Sequence, residues 1–150
     1  MALRGEGAAM WGGRWNSVGV RVVYASEVLA LAVLEMLANA RRNIPPGKVF
    51  VSIDIPADAK IECLGTHDLP LRWSSSPAPT RLQEIGDEWV RKGRSLALVV
   101  PSAIMPVDRN VLLNPVHPDF KRIIVGPARR LLVDRRLQPA KAGKSAPRSS

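Results

Sequence analysis

Residues 5–37 read GEGAAMWGGRWNSVGVRVVYASEVLALAVLEML, and two changes of character inside this stretch decide the fold. Up to Gly19 it is rich in glycine and polar residues, the composition of loop or irregular structure, with Trp11 and Trp15 as apolar anchors. Val20 to Ala25 (VRVVYA) then has the β-branched and aromatic content of a strand, with Tyr24 near its end. Ser26 suits a helix N-cap and Glu27 the first turn, where an acid meets the positive end of the helix dipole. Val28 to Ala40 is apolar on nearly every face, which predicts a buried helix.

Packing does not account for two features of this stretch. Gly12-Gly13-Arg14-Trp15-Asn16 sets two residues with free φ angles directly before a guanidinium, an indole and an amide. Paired glycines let a backbone approach a ligand closely, so the cluster suggests a site; an ordinary loop with a solvated Arg is the alternative. Glu35 interrupts the apolar helix, with Leu31 and Ala32 one turn before it and Ala38 and Asn39 one turn after. A carboxylate in such surroundings is costly unless it is paired or hydrogen-bonded, so Glu35 is expected to face a polar cleft. The alternative is that it escapes to solvent at the edge of the apolar face.

Beyond the helix, Arg41-Arg42 suits the negative end of its dipole, and Pro45-Pro46 forbids continuation. Lys48 to Ile55 reads as a strand stopped by Pro56; residues 56–79 hold a short apolar stretch around Ile61 and then a loop, Leu69 to Pro77. Thr80-Arg81-Leu82-Gln83 has capping-box spacing and opens a helix to about Arg91 that Gly93 terminates. Ser95 to Val100 is a near-continuous apolar strand, expected to be covered on both faces. Val111–Leu113, Ile123–Val125 and Leu131–Val133 complete the β content.

At 150 residues the chain is expected to be one domain with a sizeable core. Its formal charge of +9 is unevenly placed: residues 1–120 hold 13 Lys/Arg against 12 Asp/Glu, and residues 121–150 hold 9 against 1. The body is therefore near neutral, and the basic end reads as a solvated tail rather than a specific nucleic-acid surface. A single cysteine, Cys63, excludes an intrachain disulfide, the first residues lack the long apolar core expected of a signal peptide, and the longest apolar run, Val28 to Leu34, is far too short to span a bilayer. A cytoplasmic protein is the simplest expectation.

Several standard sites are missing. No phosphate-binding glycine motif follows a strand, and His67 and His117 lie far apart without a second cysteine, which argues against zinc. Ser102, His117 and Asp119 could form a Ser-His-Asp set only on paper, since nothing places Ser102 on a nucleophile elbow.

The 5–37 stretch, together with Leu69-Pro70-Leu71-Arg72-Trp73, Gln83 to Trp89 (QEIGDEW), Val100-Pro101-Ser102-Ala103 and Asn110 to Phe120 (NVLLNPVHPDF), resembles the RES domain, the family of the toxins of RES-Xre toxin-antitoxin modules. The resemblance runs from about Gly5 to Leu137. It implies an RES domain over residues 1–137 and a basic, disordered tail over 138–150. The implied fold is α+β, a compact mixed or antiparallel sheet core with flanking helices, similar to the ADP-ribosyltransferase toxins. The implied activity consumes NAD+ as substrate and needs no cofactor or metal. The expected partner is an Xre-type antitoxin in a hetero-oligomer, with no membrane or specific nucleic acid. The Arg, Glu and Ser of the family's name carry over to Arg14, Glu35 and Ser102, and its site tyrosine to Tyr24; Asn114 is a weaker candidate. Relatives usually carry a further strand ahead of the glycine-rich loop, so the match also leaves room for a shortened start, an unpaired sheet edge and an inactive remnant that only binds its antitoxin.

The residue types suit that chemistry in their own right. A guanidinium binds diphosphate oxygens bidentately, which fits Arg14. Breaking the nicotinamide–ribose bond passes through an oxocarbenium-like state that a carboxylate, Glu35, stabilises by charge. Tyr24 can stack on a flat ring, and Ser102 can hydrogen-bond ribose or phosphate.

Overall fold

A computed structural model of the chain describes residues 2–40 and 44–138. In chain order its elements are α1 (Glu6–Trp11), β1 (Val23–Ser26), α2 (Leu29–Asn39), β2 (Val49–Phe50), β3 (Ile53–Asp54), β4 (Ile61–Cys63), α3 (Thr80–Lys92), β5 (Ala97–Pro101), β6 (Arg109–Leu113), β7 (Ile124–Val125) and β8 (Arg129–Arg130). The main sheet runs β1-β6-β5-β4, antiparallel except for the parallel pair β4 and β5 that α3 connects. Two short antiparallel ribbons, β2 with β8 and β3 with β7, complete the β structure. A mixed sheet with flanking helices is the fold class expected above.

Alternation along the strands divides the core between the two sheet faces. Val22, Leu98, Val100 and Leu112 pack on one face with Trp15 and with Leu82 and Trp89 of α3. Val23, Ala97 and Leu113 pack on the other. β5 is buried along its whole length, as its unbroken apolar run predicts. Leu82, Leu96 and Leu112 are fully buried, and each contributes about 1.5–3 kcal/mol relative to exposure.

Several expectations need correction. The glycine-rich start holds the short helix α1, entered from Gly5 in a left-handed conformation (φ 65°). Glycine content hides it, because its stability comes from tertiary contacts rather than propensity. Ser26 does not cap α2: it ends β1, and Val28 occupies the cap position without a side-chain bond. Pro79, not Thr80, precedes α3, and no capping box forms. Gly93 does end that helix in a left-handed conformation (φ 57°). The 48–55 segment splits into β2 and β3 because its two halves pair with different partners. The short apolar stretch around Ile61, not assigned to an element above, forms the edge strand β4. The Arg41–Asn43 helix terminus and the tail from residue 139 onward lie outside the described residues. No described helix is long and apolar enough to cross a membrane.

Candidate active site

The Gly12–Ser17 loop is held by hydrogen bonds within itself, to α1 and to the segment leading into β1. Gly12 has φ 72°, which favours glycine. Its N–H donates to Ala8 O at 2.8 Å, and the Gly13 N–H donates to Asn16 O at 2.9 Å. Asn16 is fully buried; its amide donates to Ala8 O at 2.8 Å and Val20 O at 2.9 Å, joining α1 to the approach to β1. A buried amide satisfied on this scale fixes backbone that has no regular pairing of its own.

α3 then clamps the loop from one side. Gln83 Nε2 donates to Gly13 O at 3.0 Å, and Asp87 Oδ1 accepts the Ser17 N–H at 2.9 Å. Between them Gly86 lies so close that a Cβ there would sit 1.8 Å from Trp15 O. Residues 83, 86 and 87 share one helix face by their spacing, which gives the QEIGDEW motif a structural purpose. Trp15, 3% exposed, is the anchor expected of it; Trp11, 79% exposed, is not, and stands at the mouth of a cleft.

That cleft, about 640 Å³, is lined by Trp11 to Trp15, by Tyr24, by Glu35 with Ala38 and Asn39, by Ser74 and Ser76, and by Pro101, Ala103, Ile104 and Asn110. Its size is in the range of small-molecule sites. Arg14, Tyr24 and Glu35 therefore meet in one cavity. Arg14 Nη1 donates to Trp73 O at 2.9 Å and Ser75 O at 3.1 Å, which ties the 73–75 loop to the site and leaves the rest of the guanidinium for a ligand. Burial lowers the Arg14 pKa from its ordinary value, opposed by Glu35 and then Tyr24; the group stays cationic.

Tyr24 shows an open ring and a covered hydroxyl. The oxygen accepts the Trp15 N–H at 3.0 Å and donates to Asn16 Oδ1 at 2.7 Å. Burial pushes its pKa up to about 12, the Asp87 charge adding to the rise while the Trp15 bond and Arg14 oppose it. Tyr24 is thus a neutral aromatic wall and not a proton carrier. Gly13 is required beside it, since a Cβ there would lie 2.5 Å from the Tyr24 oxygen.

Glu35 is held from beneath. Ser102 Oγ donates to Glu35 Oε1 at 2.9 Å, and Asn110 Nδ2 donates to the same oxygen. Ser102 is fully buried, and its Oγ also accepts the N–H groups of Ile104 and Met105, each at 3.1 Å. Its one proton is committed to Glu35, so the expected bond from Ser102 to ribose or phosphate gives way to support of the carboxylate. Asn114 is also fully buried but lies outside the cleft: its amide donates to Val90 O at 3.2 Å and its Oδ1 accepts the Val116 N–H at 3.1 Å. Its role is to shape the turn after β6. Asn110, which the sequence reading did not single out, takes the place expected of it in the cleft. The paper triad does not form, since Ser102 serves Glu35 while His117 Nδ1 accepts the Asp119 N–H.

Comparison with known proteins shows the family and the fold. The RES domain family model matches residues 1–134. A Prs ADP-ribosylating toxin of Sphingobium sp. (strain YBL2) is 38% identical over 138 residues, covering 90% of this chain and 86% of the relative. A Toxin Res of Photorhabdus laumondii is 40% identical over 124 residues, covering 82% and 79%. The crystal structure of the M. tuberculosis MbcT-MbcA toxin-antitoxin complex contains a chain of similar fold, with TM-score 0.70 and 18% identity over 87% of this chain and 78% of that one.

Proposed function

The chain belongs to the RES domain family, and from that premise we propose that it is the toxin of a toxin-antitoxin module that consumes NAD+ by breaking the nicotinamide–ribose bond. The observation that carries the reading is a single supported carboxylate, Glu35, sharing a cleft with a half-buried guanidinium and an open tyrosine ring. Nicotinamide is cationic in NAD+ and leaves neutral with the electron pair of the broken C–N bond, so one carboxylate without a general acid suffices. Glu35 stabilises the positive charge that grows on the ribose and holds its hydroxyls. The unengaged N–H groups of Arg14 bind the diphosphate, and the Tyr24 face takes a flat ring. Water or phosphate then adds to the ribose carbon and gives up a proton. The partner in this reading is an Xre-type antitoxin; that a chain of similar fold is found in a toxin-antitoxin complex supports an antitoxin partner.

A second acceptor is favoured by one observation. The Sphingobium relative is named an ADP-ribosylating toxin, so transfer of ADP-ribose to a protein side chain breaks the same bond with a different finish. Incubation of the purified chain with NAD+ tests both. Nicotinamide release is expected, and Glu35→Gln, which keeps the shape but not the charge, should lower it on the order of 10²-fold or more. The other product names the acceptor: free ADP-ribose for water, its phosphorylated form for phosphate, a mass gain on protein for transfer. Release from the wild type no greater than from Glu35→Ala would sink the proposal and leave a chain that only binds its antitoxin.

A further inference from the structure

The support beneath Glu35 begins two side chains away, on β1, and we infer that Asn110 is a positioning residue for the Glu35 carboxylate, with Ser26 setting the orientation of the Asn110 amide. The inference rests on the reading of Glu35 as the group that stabilises the reacting ribose.

Ser26 and Asn110 are directly opposite each other in the β1–β6 ladder, so their side chains leave the sheet on the same face. Ser26 Oγ lies 2.7 Å from Asn110 Oδ1. The Glu35 carboxylate at the other end of the amide only accepts, so the NH2 group faces it and the oxygen faces Ser26; an amide oxygen can only accept, so the serine donates and holds the amide in that orientation. The NH2 group donates to Glu35 Oε1, and the Ser26 hydroxyl keeps it there by occupying the oxygen. Ser102 arrives at the same oxygen from the end of β5, where its N–H extends the pairing of β5 with β6 by bonding Asp108 O at 3.0 Å. Three adjacent strands thus each send one neutral side chain to one end of the sheet, and α2 lays Glu35 across it. Both donors fall on Oε1, and among the described residues Oε2 receives none, which leaves Oε2 as the oxygen for the substrate. A carboxylate with one oxygen fixed and the other open is oriented before the substrate arrives.

Asparagine suits position 110 because it accepts from Ser26 and donates to Glu35 at once. An aspartate there would set a second carboxylate against the first, and two adjacent carboxylates resist holding both charges. The other charged or titratable side chains nearby are Arg14 and Tyr24 in the cleft and the Glu27–Arg109 pair at the same strand ends, and the test leaves them unchanged.

The test compares Asn110→Asp, Ser26→Ala and Ser26→Thr with wild type, with Glu35→Gln as reference, for kcat and KM of nicotinamide release across pH. Asn110→Asp should lower kcat at neutral pH on the order of 10²-fold, leave KM within a few-fold, and move the acid limb of kcat to higher pH. Ser26→Ala should lower kcat about tenfold, and Ser26→Thr, which restores the hydroxyl, should recover it. A loss from folding alone would move neither the pH limb nor the split between kcat and KM. A second readout is independent of turnover: the side-chain amide NMR signals of Asn110, identified by their loss in Asn110→Asp, should shift in both Ser26→Ala and Glu35→Gln. Wild-type kcat and pH profile in Asn110→Asp, or amide signals indifferent to both neighbours, overturns the inference. Full activity in Glu35→Gln overturns the functional reading instead, and the NMR shifts still decide whether the relay exists.

Discussion

Tyr24 is the only tyrosine in the chain, so the ultraviolet absorbance of tyrosinate reports on that one hydroxyl. With its pKa pushed up to about 12 by burial, the folded protein should titrate near that value, against about 10 for the chain unfolded in denaturant. Since the folded value is the higher one, the stabilisation from the neutral hydroxyl is complete below about pH 10 and is lost as pH rises to about 12. Tyr24→Phe should flatten that part of the stability profile; a folded-state midpoint near the unfolded one would show that the bonds to Trp15 and Asn16 do not persist. Arg14, Tyr24 and Glu35 were legible in the sequence because each is out of character with its surroundings: a guanidinium after two glycines, an aromatic at a strand end, an acid in an apolar helix. Ser102 was visible as a residue but not in its role, since only the fold shows its hydroxyl already filled by two backbone N–H groups. Asn110 gave no local signal, because its purpose comes from Ser26 across the ladder and Glu35 on another element.

At the level of elements, α3 is the clamp on the glycine-rich loop, and Gly86 is the position where the two backbones touch. Gly86→Ala places a methyl group against Trp15 O, backbone that cannot swing away. It should cost about 1–3 kcal/mol or more by urea unfolding, and activity should fall with it because Arg14 is carried on the same loop. Gly7 on α1 is the contrasting case, since a methyl group there would meet nothing within 4 Å. Gly7→Ala should stabilise by about 0.5–1 kcal/mol through helix propensity. An equal response at the two glycines would remove the case for a clamp. α2, α3 and β5 were readable from their periodicity and apolar runs, which are local properties. α1 and β4 were not, because a glycine-rich turn of helix and a three-residue edge strand are stabilised almost entirely by what they pack against.

For the whole molecule, the order of the sheet was beyond reach of the sequence, since the parallel partnership of β4 with β5 depends on where α3 returns the chain. The same return brings α3 across the loop after α1 and leaves Trp11 outside the core. The four tryptophans are therefore unequal: Trp15 and Trp89 are buried, Trp73 is partly covered, and only Trp11 stands mostly in solvent at the cleft mouth. The protein consequently carries an optical gauge of its own occupancy. The long-wavelength edge of its emission belongs to Trp11, and a dinucleotide entering the cleft should quench that edge and shift the spectrum toward the blue, while Trp11→Phe should leave a dimmer, bluer and unresponsive spectrum. A response undiminished in Trp11→Phe would place the ligand elsewhere. Without any label, one exposed indole would make the filling of the cleft, and its blockage by a partner protein, visible as a change of colour.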